Sequence, residues 1–214
     1  MKRCAPRLVL AAVFALAGCA KHASHTDPAA PSVVVAVPRA PVPPQPHQEL
    51  LDGHEWAVSF HGPPFLDASG FPRPHTHLQF MADEKNLYVG YYAADQDLRT
   101  VPRPGDSRGA LGDRFTLHVG SLEVVLNPKG AVQVPPGVEV TTRVDGSVDR
   151  SSNDDEEWVA EIVIPWSQLG PGARQEGLRF RALRTDAPKR APERALAWPR
   201  QGFGLLTFDS LRAG

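Results

Sequence analysis

From about residue 77 onward, apolar and polar residues alternate with a period of two along most of this chain. Residues 77–81 and 86–92 are aromatic and β-branched runs joined by the polar turn Ala82-Asp83-Glu84-Lys85, which predicts a hairpin. In 114–119, Phe115, Leu117 and Val119 alternate with Arg114, Thr116 and His118. Gly120-Ser121 then turns the chain into a second strand over 122–126. Residues 138–144 interleave Val138, Val140 and Val144 with Glu139, Thr141 and Arg143, and stop at Asp145-Gly146. In 158–164, Trp158, Ala160, Ile162 and Ile164 fall on one face, and Val159, Glu161 and Val163 on the other. Strands over 178–183 and 205–208 complete the series. No stretch carries a long helical period, and Pro and Gly mark every gap. This spacing predicts an all-β fold, an antiparallel β-sandwich with immunoglobulin- or jelly-roll-like layers and no substantial helices.

Residues 20–47 break the pattern. Pro28, Pro31, Pro38, Pro41, Pro43, Pro44 and Pro46 lie there, separated mainly by Ala, Val and Ser. Proline at this density removes N–H donors and favours polyproline II, so the segment reads as a semi-rigid tether. The folded domain is then 48–214, long enough to bury a stable core. Upstream, Lys2, Arg3 and Arg7 precede an apolar run of ten residues over 8–17. That is too short to span a bilayer as a helix, which needs about 20 residues, and it fits a secretory signal. Leu16-Ala17-Gly18-Cys19 at its end resembles the lipobox of bacterial lipoproteins, which are cut before a lipidated Cys. The resemblance implies a signal peptide over 1–18 and a lipid-bearing Cys19 opening the tether of 19–47. Cys4 would leave with the signal, so the mature chain would hold no free thiol and no disulfide.

Losing Lys2, Arg3 and Arg7 moves the formal net charge from −1 to −4. A mildly acidic chain has no basic surplus for phosphates, which argues against nucleic acid as a partner. Membrane attachment therefore falls to the lipid. By analogy with bacterial lipoproteins, Ala20 after Cys19, in place of a retention Asp, favours the outer membrane of the cell envelope.

Six segments carry a further resemblance. They are Asn86-Leu87-Tyr88-Val89-Gly90-Tyr91-Tyr92 running on to Arg99; Asp113 opening a strand; Leu126-Asn127-Pro128-Lys129-Gly130-Ala131; Glu157 to Trp166; Arg179-Phe180-Arg181-Ala182-Leu183-Arg184; and Ala197-Trp198-Pro199-Arg200 leading to Phe203-Gly204-Leu205. In this order the chain resembles a family 9 carbohydrate-binding module, a sugar-binding β-sandwich related to the DOMON domains. The resemblance implies a non-catalytic domain that binds an oligosaccharide or polysaccharide and assists its degradation. It implies a ligand site around Trp198, Arg184, Arg181, Asn127 and Asp113.

A pyranose offers apolar C–H faces and a rim of hydroxyls, so its binder needs flat aromatic surface and charge-assisted hydrogen bonds. Trp158 and Trp166 read as packing residues and Trp56 fits either role. Trp198, followed by Pro199, Arg200 and Gln201, falls in an irregular segment between strands and is the candidate sugar platform. The family commonly shows Trp-x-x-Asp-x-Val-Glu, its Trp and Glu holding the sugar. Here Ala110 and Thr116 stand at those two positions around Asp113, and Arg181 replaces an Asn in Arg-Phe-Asn-x-x-Arg. These departures support a second reading, a structural or protein-interaction lipoprotein with a degenerate sugar site.

Other motifs carry less. Gly105-Asp106-Ser107-Arg108-Gly109 matches a nucleophile elbow but lacks the flanking strand and helix, and no glycosidase signature appears, so no enzyme is expected. His75 and His77 share a strand face as a possible metal pair, with His54 and His61 upstream, but no third ligand has characteristic spacing, and no metal is assigned. Asp145, Asp149, Asn153, Asp154 and Asp155 form an acidic stretch without ordered calcium-loop spacing. No cofactor is assigned, and the family resemblance admits calcium. Haem, bound by some DOMON relatives, would draw on Met81 with Lys85 or Lys129, although a strand Met more often fills core gaps.

Cys19→Ser is expected to move the protein from the detergent phase to the aqueous phase on phase partitioning. Persistence in detergent, or an unmodified residue 19 by mass spectrometry, would overturn the lipid anchor.

Overall fold

The strongest alternations form the centres of two sheets. In the computed structural model, β4 (Asn86–Ala94) and β9 (Glu157–Pro165) pair along their whole length, from Asn86 opposite Pro165 to Ala94 opposite Glu157. With β2 (Phe60–His61), β3 (Thr76–Ala82) and β8 (Glu139–Asp145) they make a five-stranded sheet ordered β2-β3-β4-β9-β8. The other sheet has seven strands. It runs β1 (Val33–Ala36), β12 (Gly204–Thr207), β10 (Leu178–Asp186), β5 (Arg114–Val119), β6 (Leu122–Asn127) and β7 (Gly130–Gln133), with β11 (Arg194–Trp198) also on β10. The structure describes residues 30–44, 50–51, 53–100, 112–150, 157–187 and 192–212. Among these, helix is limited to α1 (Trp166–Leu169), α2 (Ala173–Glu176) and two 3-10 turns, and no helix is long and apolar enough to cross a membrane. The expected β-sandwich is the observed fold.

Alternation decides which side chains meet between the sheets. Leu87, Val89, Tyr91 and Ala93 of β4 and Trp158, Ala160, Ile162 and Ile164 of β9 face inward, against Phe115, Leu117 and Val119 of β5 and Leu178, Phe180 and Ala182 of β10. Rings interlock across the gap: Tyr91 stacks on Phe115 at 4.0 Å and Phe80 meets Phe180 edge-on at 5.4 Å. Each large apolar side chain buried here contributes about 1.5–3 kcal/mol.

The stretch expected to be tether supplies part of this core. Pro31 and Pro38 bracket a β-branched run that forms β1, pairing in parallel with β12 from Val33 opposite Gly204 to Ala36 opposite Thr207. Val35, Val37 and Ala40 are buried. Residues 33–40, upstream of the expected boundary at 48, therefore belong to the sheet and its core. Proline at an edge strand's limits is compatible with pairing, and the proline count hid a short strand that the valines specify.

A second small cluster lies on the outer side of the five-stranded sheet. Trp56 and Leu51 sit over Gly90, where a Cβ would come within 2.5 Å of Leu51 and 3.1 Å of Trp56. Glu161, opposite Gly90, accepts the Trp56 indole N–H at 2.8 Å and the Leu51 amide at 2.9 Å. Met81, Tyr88 and Ala40 complete the patch.

A chain starting at residue 48 is expected to unfold several degrees below one starting at residue 30, because it loses the β1 ladder and the burial of Val35 and Val37. Equal melting temperatures by circular dichroism would show that β1 adds nothing to the fold.

Candidate functional site

Arg184 follows Ala182 on the inward face of β10, where a charged side chain needs full compensation. It is wholly buried. Its Nη1 donates to Thr76 Oγ1 at 2.7 Å and to the Ala94 carbonyl at 3.0 Å. Its Nη2 donates to Asp95 at 2.7 Å and to Asp186 at 3.4 Å. Thr76 and Ala94 belong to the five-stranded sheet, so the guanidinium ties the two layers together. Asp113, also buried, accepts the amides of Arg99 at 2.6 Å and Ala187 at 2.8 Å. Oxygens of Asp95, Asp113 and Asp186 lie within 4.8 Å of one another.

That grouping of carboxylates invites a cation, but the residues do not fit one. Asp95 accepts the Asp97 amide and Arg184; Asp113 accepts two amides; Asp186 accepts Arg184 and Arg194. All six carboxylate oxygens face N–H donors, and the guanidinium already supplies the positive charge that calcium would bring. The negative groups outnumber their buried countercharge. Burial, joined by the charge of Asp95, pushes the Asp113 carboxyl up to about 7, and burial likewise raises Asp95.

Trp198 belongs to the core as well. It ends β11 opposite Ala182 and packs on Phe180 at 4.9 Å, Phe80 at 6.1 Å and Phe60 at 6.2 Å. The expected irregular segment is a strand up to Trp198, so alternation turns this ring inward. Trp56 and Trp158 are buried too. Trp166 is half-buried, with its indole N–H on the Asp83 carbonyl at 2.8 Å and its ring edge-on to Phe208. Asn127 sits in the β6–β7 turn, its side-chain oxygen accepting the Lys129 amide at 2.9 Å.

Arg181, half-buried, is the expected ligand residue that lies on the outer face of a sheet. On the outer face of the seven-stranded sheet the register aligns Ala197, Leu183, Thr116, Val125 and Gln133 in one row. Beside it Arg181, His118 and Glu123 form a second row, and Arg114 lies opposite Thr185 on the other flank. His118 pairs with Glu123 at 3.4 Å. The Arg181 Nε is buried and has no hydrogen-bond partner among the described residues. Ala197 and Val125 of the first row are buried, which leaves Leu183 and Thr116 between hydrogen-bonding flanks that can donate to the hydroxyls of a polar ring. Arg114, His118 and Leu183 were absent from the expected site, although the same alternation that buries Phe115 and Ala182 turns them outward.

The remaining candidates resolve separately. Asp149 accepts Thr100 twice and Lys129; burial works against ionisation there, but those donors win and hold its carboxyl at about 2. Asp145 is exposed. Met81 is fully buried in a cluster with Trp56 and Tyr88. Cys19, the segment Gly105 to Gly109, Ala110, Asn153, Asp154 and Asp155 lie outside the described residues.

The sequence matches no protein-family model and no curated protein. Solved structures do match. A family 9 carbohydrate-binding module from Caldicellulosiruptor kristjanssonii, solved with cellotriose, superposes with a TM-score of 0.52 at 13% identity, covering 85% of this chain and 96% of that one. The fold is that of a family 9 module. A family 9 module from the same organism, solved with glucose, gives a TM-score of 0.51 at 13% identity, over 82% of this chain and 95% of the other. A candidate carbohydrate-binding protein from Bacteroides uniformis ATCC 8492 gives 0.51 at 15% identity, over 82% and 99%. The family 9-like sandwich expected from the six motifs is thus the observed one.

An Asp raised from its ordinary value of 3.8 to about 7 holds a proton in the folded state that the unfolded chain has released. Its contribution to stability is full below pH 3.8 and is lost as pH rises to about 7. Urea unfolding at pH 5 and pH 8 should show a smaller loss of stability in Asp113→Asn than in the wild type. The opposite slope from His77, held neutral down to about 4, is common to both proteins and cancels. Identical losses would remove Asp113 as the proton-binding group.

Proposed function

We propose that this chain is a non-catalytic carbohydrate-binding protein, anchored to the cell envelope through a lipid on Cys19, that assists the binding or degradation of a polysaccharide. The observation that carries the reading is the shared fold with family 9 modules solved holding cellotriose and glucose. The outer face of the seven-stranded sheet is the surface we assign to the ligand, with Arg181 as its principal donor and Leu183 and Thr116 as its floor. The tryptophans play no part in it, since each is buried or half-buried in packing. Binding then rests on hydrogen bonds and short apolar contacts, which favours modest affinity.

The second reading, a lipoprotein that kept the sandwich for a structural or protein-binding role, draws on the same face. It has Thr116 where the family pattern has Glu, and no Trp among its described residues. The two readings separate in a calorimetric titration with cellotriose, glucose and a panel of oligosaccharides. Saturable binding that weakens about tenfold or more in Arg181→Ala, a loss of about 1.4 kcal/mol, is the expected result. No binding of any sugar at millimolar concentration, with a stoichiometric envelope protein recovered in pull-down despite excess sugar, would replace the first reading by the second.

A further inference from the structure

The outer face of the five-stranded sheet carries a group of imidazoles that the proposed sugar site does not use. His75 and His77 flank inward-facing Thr76, so both project outward at the start of β3. The Ala94 amide holds the His75 carbonyl at 2.9 Å, which fixes the backbone beneath the pair. His61 reaches the same face from β2, whose register places it opposite Gln79. Sequence separation hid this third imidazole, because the segment between β2 and β3 is spanned by the fold and not by any ligand spacing.

The nitrogens of the pair stand within hydrogen-bonding distance of each other, a spacing that two ligands of one ion also adopt. His77 Nδ1 lies 3.3 Å from His75 Nε2. Two nitrogens bound at 2.0–2.1 Å to one tetrahedral ion are about 3.3 Å apart. The His61 ring lies 6.2 Å from His77 with the planes 25° apart, and Tyr92 lies 5.0 Å from His77 on its other side at 24°. Rings standing parallel in this way turn their edges outward and hide their faces. A row of edges suits coordination by ring nitrogens, whereas a stacked sugar would need an exposed ring face.

The electrostatics agree. His54 and His118 each have a carboxylate within 4 Å, but no described carboxylate is paired with His61, His75 or His77. Imidazoles without thiolate or carboxylate partners select borderline-soft ions over calcium or magnesium.

We propose that His75, His77 and His61 form a binding site for a divalent late-transition-metal ion, zinc or copper, on the outer face of the five-stranded sheet. His75 and His77 provide the close pair, His61 turns in from β2 to add the third nitrogen, and Tyr92 stacks against the His77 ring.

The test is a calorimetric titration of the full chain, purified without a polyhistidine tag, against zinc, copper and calcium chlorides. One equivalent of zinc or copper should bind and calcium should not. His75→Gln/His77→Gln together should weaken the binding by at least about tenfold, and His61→Gln by less, with unchanged melting curves showing that the variants fold. Electron paramagnetic resonance of the copper complex should show nitrogen hyperfine structure that the double variant loses. Absence of saturable binding, or equal binding by the double variant because the ion sits on His22, His25 or His47, would overturn the proposal.

Discussion

The buried guanidinium of Arg184 is the constraint around which this sandwich is arranged. Apolar contact between two sheets is non-directional and tolerates sliding. A planar fork of donors is different, because it must meet particular acceptors. By reaching Thr76, Ala94 and Asp95 from β10, Arg184 sets where the start of β3 and the end of β4 lie against the opposing sheet. Removing one partner of such a buried group typically costs about 3–5 kcal/mol, more than any single apolar contact in this core.

Around that clasp the loops at one end of the sandwich fall into place. Asp113 joins residue 99 to residue 187, and Asp186 passes the network on to Arg194 at the start of β11. The face that we assign to sugar lies on the outside of the same strand, so Arg181 and Arg184 of β10 divide binding from stability by strand parity alone. A one-residue slip of β10 would exchange their roles, and the pairing of Asp95 with Arg184 opposes it.

The sequence made the long strands legible because their alternation is uninterrupted, as in Phe115, Leu117 and Val119 or Ala160, Ile162 and Ile164. It concealed the short ones for identifiable reasons. β1 is embedded among prolines, β2 and β7 are too brief to show a period, and β11 ends on Trp198-Pro199, where proline suggests a loop. The site was harder to read, because Asp113 and Arg184 are polar residues at inward positions. Composition marks such residues as surface groups, and only the spatial meeting of Asp95, Asp113 and Asp186 with Arg184 makes burial affordable. Arg181 was recoverable from parity, since its neighbours Phe180 and Ala182 are apolar.

The parallel pairing of β1 with β12 has a mechanical consequence. Chain arriving from before residue 30 enters the domain at the head of β1, and the backbone bonds from Val33 to Ala36 run evenly alongside Gly204 to Thr207. Tension drawn along that strand loads those bonds in shear, all at once, instead of opening them one after another. A pull from the N-terminal side is therefore resisted by the whole ladder and handed, through β12, to β10 and the strand that carries Arg181. Whatever holds the outer face is joined to the leading segment by a short, stiff path through one sheet.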